Sequence, residues 1–328
     1  MLRERLHYLL VSLHPSLQDD VKRAFAEHGK LLYQSPEDTT VGDNRQPAGS
    51  WPLLTLLIAQ HFSPLIDPVL ASSVALATEC FVCALDLLDD VEDEDQTPII
   101  QEIGISRALN VSTALLALTQ QAIFSVEQQG VEARLILRLS AVLQETMLIA
   151  AGGQHRDLLA EERDVNDLTR EECIEIAAAK AGAIMRFACQ IGAICAGATG
   201  AESAECMEMG ELLGIAHQLD NDAHDLYDLL HSTEDASGSF GVKSVKSDLE
   251  RAKKTLPVVL ASSENMFLQE GREPSDSERQ EYLQALHQGI VMTWGISLLY
   301  RERARDLLQV IASRKAVAPE LRLLLGFE

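Results

Sequence analysis

Two acidic clusters, far apart in the chain, hold the residues best placed to do chemistry. One is Asp89-Asp90-Val91-Glu92-Asp93, and the other is Asn221-Asp222-Ala223-His224-Asp225, preceded by Gln218. Each follows an apolar stretch with helical spacing, so each is expected on a helix. Side chains three or four apart on a helix share a face, which sets Asp89 beside Asp93 and Asp222 beside Asp225. Like charges at that spacing destabilise a helix by a few tenths of a kcal/mol unless a cation neutralises them. Carboxylate oxygens suit hard divalent ions, and Mg²⁺ usually joins one or two carboxylates to substrate phosphates. Two such clusters read as a Mg²⁺ clamp for a diphosphate. The alternative is a pair of solvated helix faces, the usual fate of a charge run.

The elements that must position these residues are helical nearly throughout. Apolar residues recur at spacings of three and four over 17–33, 53–60, 69–88, 105–126, 133–150, 170–198, 204–230, 247–260, 278–299 and 301–313. No run alternates in the manner of a strand. Polar connections are expected at 34–50, 92–97, 160–168, 232–246 and 269–277, and the 232–246 segment follows the second cluster as a candidate lid. There is no repeat at a fixed period and no strong linker, so the chain is read as one all-α domain over 1–328.

The 328 residues suffice for a large core, and 47% hydrophobic with 23% charged is a globular composition. A formal net charge of -23 excludes non-specific nucleic-acid binding and disfavours anionic membrane surfaces. Cys80, Cys83, Cys173, Cys189, Cys195 and Cys206 lie in apolar helical context and are expected as free buried thiols. Cys80-x-x-Cys83 lacks the second ligand pair a zinc site needs. The N-terminus has the pattern of neither a signal peptide nor a span. Residues 187–200, rated the most apolar long stretch, are too short to cross a bilayer. The expectation is a cytoplasmic protein with no transmembrane segment.

Five elements in collinear order resemble the trans-prenyl diphosphate synthase (polyprenyl synthetase) superfamily of class I isoprenoid enzymes. Asp89 to Asp93 matches DDxxD, and Gly153-Gln154-His155-Arg156-Asp157 matches GQxxD. Lys180-Ala181-Gly182 matches a Lys-Thr-(Gly/Ala) segment with Ala181 for Thr. Gln218 to Asp225 matches QxxDDxxD with Asn221 for the first Asp of the pair. Ser247-Asp248-Leu249 and Lys253-Lys254-Thr255-Leu256-Pro257 match SDLxxxKxTLP. DDxxD alone is weak; the ordered set is strong.

The resemblance implies an antiparallel helical bundle around a deep apolar pocket, the isoprenoid synthase type I fold, assembled as a homodimer. It implies Mg²⁺, three ions per active site, gripping an allylic prenyl diphosphate and stabilising the leaving diphosphate as an allylic cation forms. On it, Asp89, Asp93 and Asp222 are metal ligands, joined by Asp90, Asp225 and Asn221. Lys180, Lys243 and Lys253 match diphosphate-holding positions. Gln154, Asp157 and Gln218 support the ligands or face the cation, so Lys180, Gln154 and Gln218 are the catalytic candidates. Leu85, Ala84 and Phe81, four, five and eight residues before Asp89, would line the prenyl shaft. Phe81 lies about 12 Å down at 1.5 Å per residue. That depth fits a C15 or C20 tail; the alternative is that all three pack the core.

Departures from the pattern bear on the acceptor. Relatives that elongate with isopentenyl diphosphate carry GKRxRP near the N-terminus and an Arg pair after DDxxD. Here the first region reads Pro47-Ala48-Gly49-Ser50-Trp51-Pro52, and the second Glu94-Asp95-Gln96-Thr97-Pro98. Arg45 does not replace the lost cations. A second diphosphate would meet acid, a repulsion on the order of 1 kcal/mol per near charge pair. These residues, with 108–110 and the Thr293-Trp294 to Ala304 stretch, resemble two branches. One is the prenyltransferases that modify a Trp of bacterial quorum-sensing peptides; the other is the class IB terpene synthases.

The first reading is therefore prenyl transfer to a peptide or small-molecule acceptor other than isopentenyl diphosphate. A terpene synthase needing no acceptor, chain elongation, and a catalytically dead partner subunit remain as alternatives. Aromatic residues, at 5%, offer few cation–π contacts for an elaborate cyclisation.

Overall fold

The structure is a computed structural model that describes residues 2–31, 50–232, 253–264 and 275–327. Among the described residues every regular element is helical. The helices are α1 (Leu2–Leu10), α2 (Pro15–His28), α3 (Trp51–Phe62), α4 (Pro68–Glu92), α5 (Pro98–Ile103), α6 (Ile105–Phe124), α7 (Ala133–Glu162), α8 (Arg170–Ala177), α9 (Ala183–Cys195), α10 (Gly200–Ser232), α11 (Leu256–Glu264), α12 (Asp276–Arg314) and α13 (Pro319–Leu324). They gather into two compact units. Unit one comprises Met1–Leu148, Ile184–Gly210 and Arg305–Glu328, and unit two comprises Ile149–Ala183 and Glu211–Ala304.

Unit one is built on α4, which packs against α1, α2, α3 and α6. Its start is specified locally. Pro68 sits at the first turn, and the Asp67 carboxylate accepts from the backbone N–H groups of Val69 (2.7 Å) and Leu70 (3.0 Å). This satisfies two of the donors that a helix start leaves open. Leu76, Phe81, Ala84 and Leu87 are buried in a core shared with Leu115, Leu139 and Phe187. Phe81 meets Phe187 edge to face, with ring centroids 5.3 Å apart. The helix ends at the first acidic cluster, where Asp93 N–H donates to Asp89 O at 2.8 Å and Glu94 takes φ 58. That left-handed conformation costs a residue with a Cβ roughly 1–2 kcal/mol.

Unit two has smaller cores. Leu219 packs with Cys173, Ala177, Leu256 and Leu260. Ala223, Leu226 and Leu230 pack with Val258, Ala285 and Leu286. Helix α8 opens on a reciprocal cap: Glu172 N–H donates to Thr169 Oγ1 (3.1 Å) and Thr169 N–H donates to a Glu172 carboxylate oxygen (3.0 Å). The expected helix over 170–198 is interrupted by a π-helical turn at Ala178–Gly182. The expected break near 300 is absent: α12 runs on, because Tyr300 and Arg301 tolerate a helix and no Gly or Pro stands there.

Three helices, Pro68–Glu92, Ile105–Gln129 and Ala133–Glu162, are long and apolar enough by length and composition to cross a membrane. The apolar windows occupy 83%, 50% and 33% buried positions respectively, so the core accounts for α4 while the other two keep apolar outer faces. All six cysteines are free and buried, as expected. Burial pushes the Cys80 and Cys83 thiols up, which makes them inert. The expected connections at 34–49 and 233–246, the Pro47-Ala48-Gly49 and Ser247-Asp248-Leu249 segments, Arg45 and Lys243 lie outside the described residues.

Candidate active-site residues

In unit one, Asp86, Asp89 and Asp90 lie on the last turns of α4, and Asp93 caps it. They do not behave alike. Asp90 Oδ2 accepts from Thr97 Oγ1 at 3.0 Å and lies 3.1 Å from His28 Nε2. The motif is thereby tied to the end of α2 and to the residue before α5. Glu27 beside His28 accepts the Ile99 N–H at 2.8 Å. The ligand atoms of Glu27, His28 and Asp90 all lie within 4.8 Å of one another. One turn back, Lys30 Nζ sits 2.7 Å from Asp86 Oδ2. Burial pulls the Lys30 ammonium down, but attraction to Asp86 and the hydrogen bond Lys30 donates to it outweigh that, so its pKa is raised. Asp86 therefore neutralises Lys30. Phe81, Ala84 and Leu85 follow on the same helix; Phe81 and Ala84 are fully buried and Leu85 partly so.

The sequence reading missed Glu27, His28, Lys30, Asp86 and Thr97. Asp86 carried a signal, since Asp86-x-x-Asp89 extends the acidic face by one turn. The others carried none, because they reach the motif only through the packing of α2 and the α5 cap.

In unit two, Lys180 stands in the π-helical turn, and such turns gather at functional sites. Its ammonium donates to Asp157 Oδ2 at 2.6 Å, with both side chains mostly buried. Gly153 explains the glycine of the GQxxD element. A Cβ there would fall 2.7 Å from Ala179 Cβ and 2.8 Å from its carbonyl carbon. Only a residue without a side chain lets α7 approach the turn that carries Lys180. Gly214 plays the same part from α10, where a Cβ would stand 2.3 Å from the Ala181 carbonyl oxygen.

Beside this pair, Gln218 Nε2 donates to Asp222 Oδ1 at 2.9 Å. Burial pushes the Asp222 carboxyl up to about 7. Asp157 and Asp225 add to the shift, while the Gln218 bond and Lys180 oppose it. The Gln154 amide has both its oxygen and its nitrogen buried without a hydrogen-bond partner among the described residues. Asp220 is held by Arg301. Asn221 points elsewhere; it is exposed, and its Nδ2 approaches His217 Nε2 at 3.4 Å. Asp225 is also exposed. Lys254, next to the candidate Lys253, donates to the carbonyls of Glu161 (2.7 Å) and Arg163 at the end of α7. Those bonds cap the end of α7.

The arrangement can hold a hard cation. Asp222 is a partly buried carboxyl with two further carboxylates, Asp157 and Asp225, close enough to raise it. An ion that prefers oxygen ligands removes that cost.

Residues 50–288 match the family described as Polyprenyl synthetase. A tryptophan prenyltransferase, ComQ of Bacillus spizizenii, is 30% identical over 185 residues, 56% of each chain. The chain thus spans little more than half the length of that relative. A geranylfarnesyl diphosphate synthase of Aeropyrum pernix is 28% identical over 282 residues, 82% of this chain and 85% of its own. A solved geranylgeranyl pyrophosphate synthase superposes with a TM-score of 0.71 at 21% identity, covering 100% of this chain and 97% of that one. The chain has the all-α isoprenoid synthase fold and belongs to the polyprenyl synthetase family of enzymes.

Proposed function

We propose that this chain, as one all-α domain over 1–328, is a Mg²⁺-dependent prenyltransferase. It would ionise a C15–C20 allylic prenyl diphosphate and pass the prenyl group to an acceptor other than isopentenyl diphosphate. The observation that carries the acceptor half is the Lys30–Asp86 pair at 2.7 Å. With Glu94 and Asp95 where two Arg are expected, the cation that packs beside the first motif is already neutralised by a carboxylate. A second diphosphate needs uncommitted positive charge. The likeness to the tryptophan prenyltransferase supports a peptide or small aromatic acceptor.

Asp89, Asp90, Asp93, Asp222, Asp225 and Asn221 are the candidate ligands for Mg²⁺, three ions in the full proposal. The raised Asp222 carboxyl and the all-oxygen donor set fit that ion. When bound, Mg²⁺ supplies Lewis-acid pull on the departing diphosphate. The chain's own residues do the rest. Lys180, oriented by Asp157, brings positive charge to the diphosphate, and Lys253 and Lys243 add to it. Gln218 holds Asp222 in position. The unpaired Gln154 amide has an oxygen able to face a developing cation. Phe81 against Phe187 makes a dry aromatic floor below Ala84 and Leu85, which suits a prenyl tail and excludes water.

Elongation is the second reading, favoured by the broad match to the Aeropyrum synthase. Incubation with Mg²⁺ and geranyl, farnesyl or geranylgeranyl diphosphate, each with and without isopentenyl diphosphate, separates the readings by mass spectrometry. No longer diphosphate is expected in any tube, with prenyl transfer appearing once a Trp-containing peptide is added. A longer diphosphate made only with isopentenyl diphosphate would overturn the acceptor assignment. A hydrocarbon or alcohol from the allylic substrate alone would establish a terpene synthase.

The proposed setting is the cytoplasm, as a homodimer. Ile105, Leu109, Leu137 and Leu148 leave the outer faces of α6 and α7 apolar, Leu137 at 67% exposed and Leu148 at 76%. Such a patch favours a partner. Leu137→Glu is expected to halve the mass seen by analytical ultracentrifugation; an unchanged mass removes this face from the interface.

A further inference from the structure

Unit one holds a polar cavity that the catalytic reading leaves unused. It lies among the C-terminal end of α3, the turn between α9 and α10, and the C-terminal end of α12, and its volume is about 130 Å³. That is the room of roughly four waters at about 30 Å³ each. Its polar lining is His61, Glu202, Glu205, Arg314 and Lys315, and Phe62, Ala196, Ala198 and Ile311 supply apolar wall.

Most of that lining is already spent. Arg314 donates to both oxygens of Glu205, at 2.6 and 2.7 Å. A Glu202 oxygen accepts from the Thr199 N–H (2.8 Å) and Thr199 Oγ1 (2.7 Å), the cap that opens α10. These bonds hold the Glu202 carboxyl below the usual range, so it stays ionised. Two groups are left over. Lys315 Nζ donates to the Phe62 carbonyl at 3.1 Å, and an ammonium has three N–H groups to give. His61 is only 7% exposed and lines the cavity. Its ring meets Phe62 edge-on at 4.9 Å, which fixes the imidazole. Burial, with Lys315 adding and Glu202 opposing, lowers the His61 pKa, so the ring is neutral and presents one donor and one acceptor.

The chemistry needed to complete this site is therefore specific. It must accept from an ammonium, exchange a proton-bearing bond with a neutral imidazole, and fit the volume of four waters. Arg314 and Lys315 balance Glu202 and Glu205, so a monoanion is tolerated and a polyanion is repelled. The α10 N-terminus adds partial positive charge from a 33-residue helix.

We propose that this cavity is a binding site for a small protonated oxyanion carrying a single negative charge, of the dihydrogen-phosphate type. An anionic oxygen takes a hydrogen bond from Lys315, and the acidic O–H meets the lone pair of His61. The ligand joins three segments of unit one that are remote in sequence. The assignment is independent of the catalytic proposal.

The test is a proton–carbon NMR titration of the full chain carrying ¹³C at the histidine Cε1, without Mg²⁺. The His61 resonance is identified by its loss in His61→Gln. Inorganic phosphate is expected to shift it saturably at neutral pH, while sodium chloride at matched ionic strength leaves it in place. In Lys315→Gln, which keeps a donor for the Phe62 carbonyl, binding is expected to weaken at least tenfold with the other histidine resonances unmoved. Should Lys315→Gln not fold, Lys315→Arg takes its place and retains binding. No saturable shift, or full binding in Lys315→Gln, would overturn the site. Sulfate bears no proton at this pH, and diphosphate stands for a larger phosphorylated source. Binding of either as tightly as phosphate would overturn the ligand class.

Discussion

The two acidic motifs share residue type and nearly share spacing, yet their surroundings put them in different energetic states. At the end of α4, Asp90 is bonded by Thr97 and approached by His28, and Asp86 holds Lys30. That motif is braced by its neighbours. On α10, Asp222 has one amide bond from Gln218, and burial pushes its carboxyl up to about 7. That motif bears a cost that a cation would relieve. Carboxylates of one residue type thus differ in energetic cost according to what packs against them.

The largest expected effect comes from breaking the strained side. Asp222→Ala is expected to lower diphosphate release on the order of 10³-fold or more, the scale of several kcal/mol of charge stabilisation, and to leave the circular-dichroism spectrum intact. Asp90→Asn keeps an acceptor for Thr97 and is expected to cost far less. Equal losses at the two positions, read from kcat under saturating Mg²⁺, would erase the distinction drawn here.

Gly153→Val comes next, since it drives a side chain into Ala179. Overpacking of this kind costs about 1–3 kcal/mol, and here it also displaces the turn that carries Lys180. Urea unfolding and turnover should both fall. Gly152→Ala, whose new Cβ would meet nothing within 4 Å, should leave both unchanged. If the two variants behaved alike, close packing would not be what positions Lys180.

The pH dependence sharpens the contrast further. Burial pushes the Asp222 carboxyl up to about 7 from its ordinary 3.8. Between those values the folded state holds a proton that the unfolded state has lost, so metal-free stability falls as pH rises. The contribution is fully present below about pH 4 and gone above about pH 7. At about 1.4 kcal/mol per unit it is at most about 4 kcal/mol. Asp222→Asn should flatten that slope in urea titrations. Mg²⁺ affinity should rise up to about tenfold per unit toward pH 7 and then level. A flat profile in the wild-type chain would mean that Asp222 is not the strained group.

The smallest effect tests the braced side. Glu94→Gly relieves a left-handed backbone at φ 58 and should stabilise unit one by up to about 1 kcal/mol in thermal unfolding. Destabilisation would show that the Glu94 side chain contributes more than its backbone costs.

Much of this was legible without coordinates. Helices α3, α4, α6 and the first half of α7 are visible in the sequence because they carry long apolar runs at helical spacing, whereas the six-residue α5 is not. Both acidic motifs, Lys180 and the GQxxD element stood out as ordered local patterns. The short α1 was not seen, since nine residues give little periodicity. The π-helical turn was hidden inside an alanine-rich run, Ala177-Ala178-Ala179-Lys180-Ala181, that reads as plain α-helix.

What the chain determined by itself is everything that depends on neighbours within a few positions: helix starts such as Asp67-Pro68, the shared face of Asp89 and Asp93, the all-α class. What only the tertiary structure decided is which carboxylates are already partnered. His28 reaches Asp90, Lys30 reaches Asp86 and Asp157 reaches Lys180 across long sequence separations. Ion pairing and desolvation depend on distance and burial, and no local pattern encodes either.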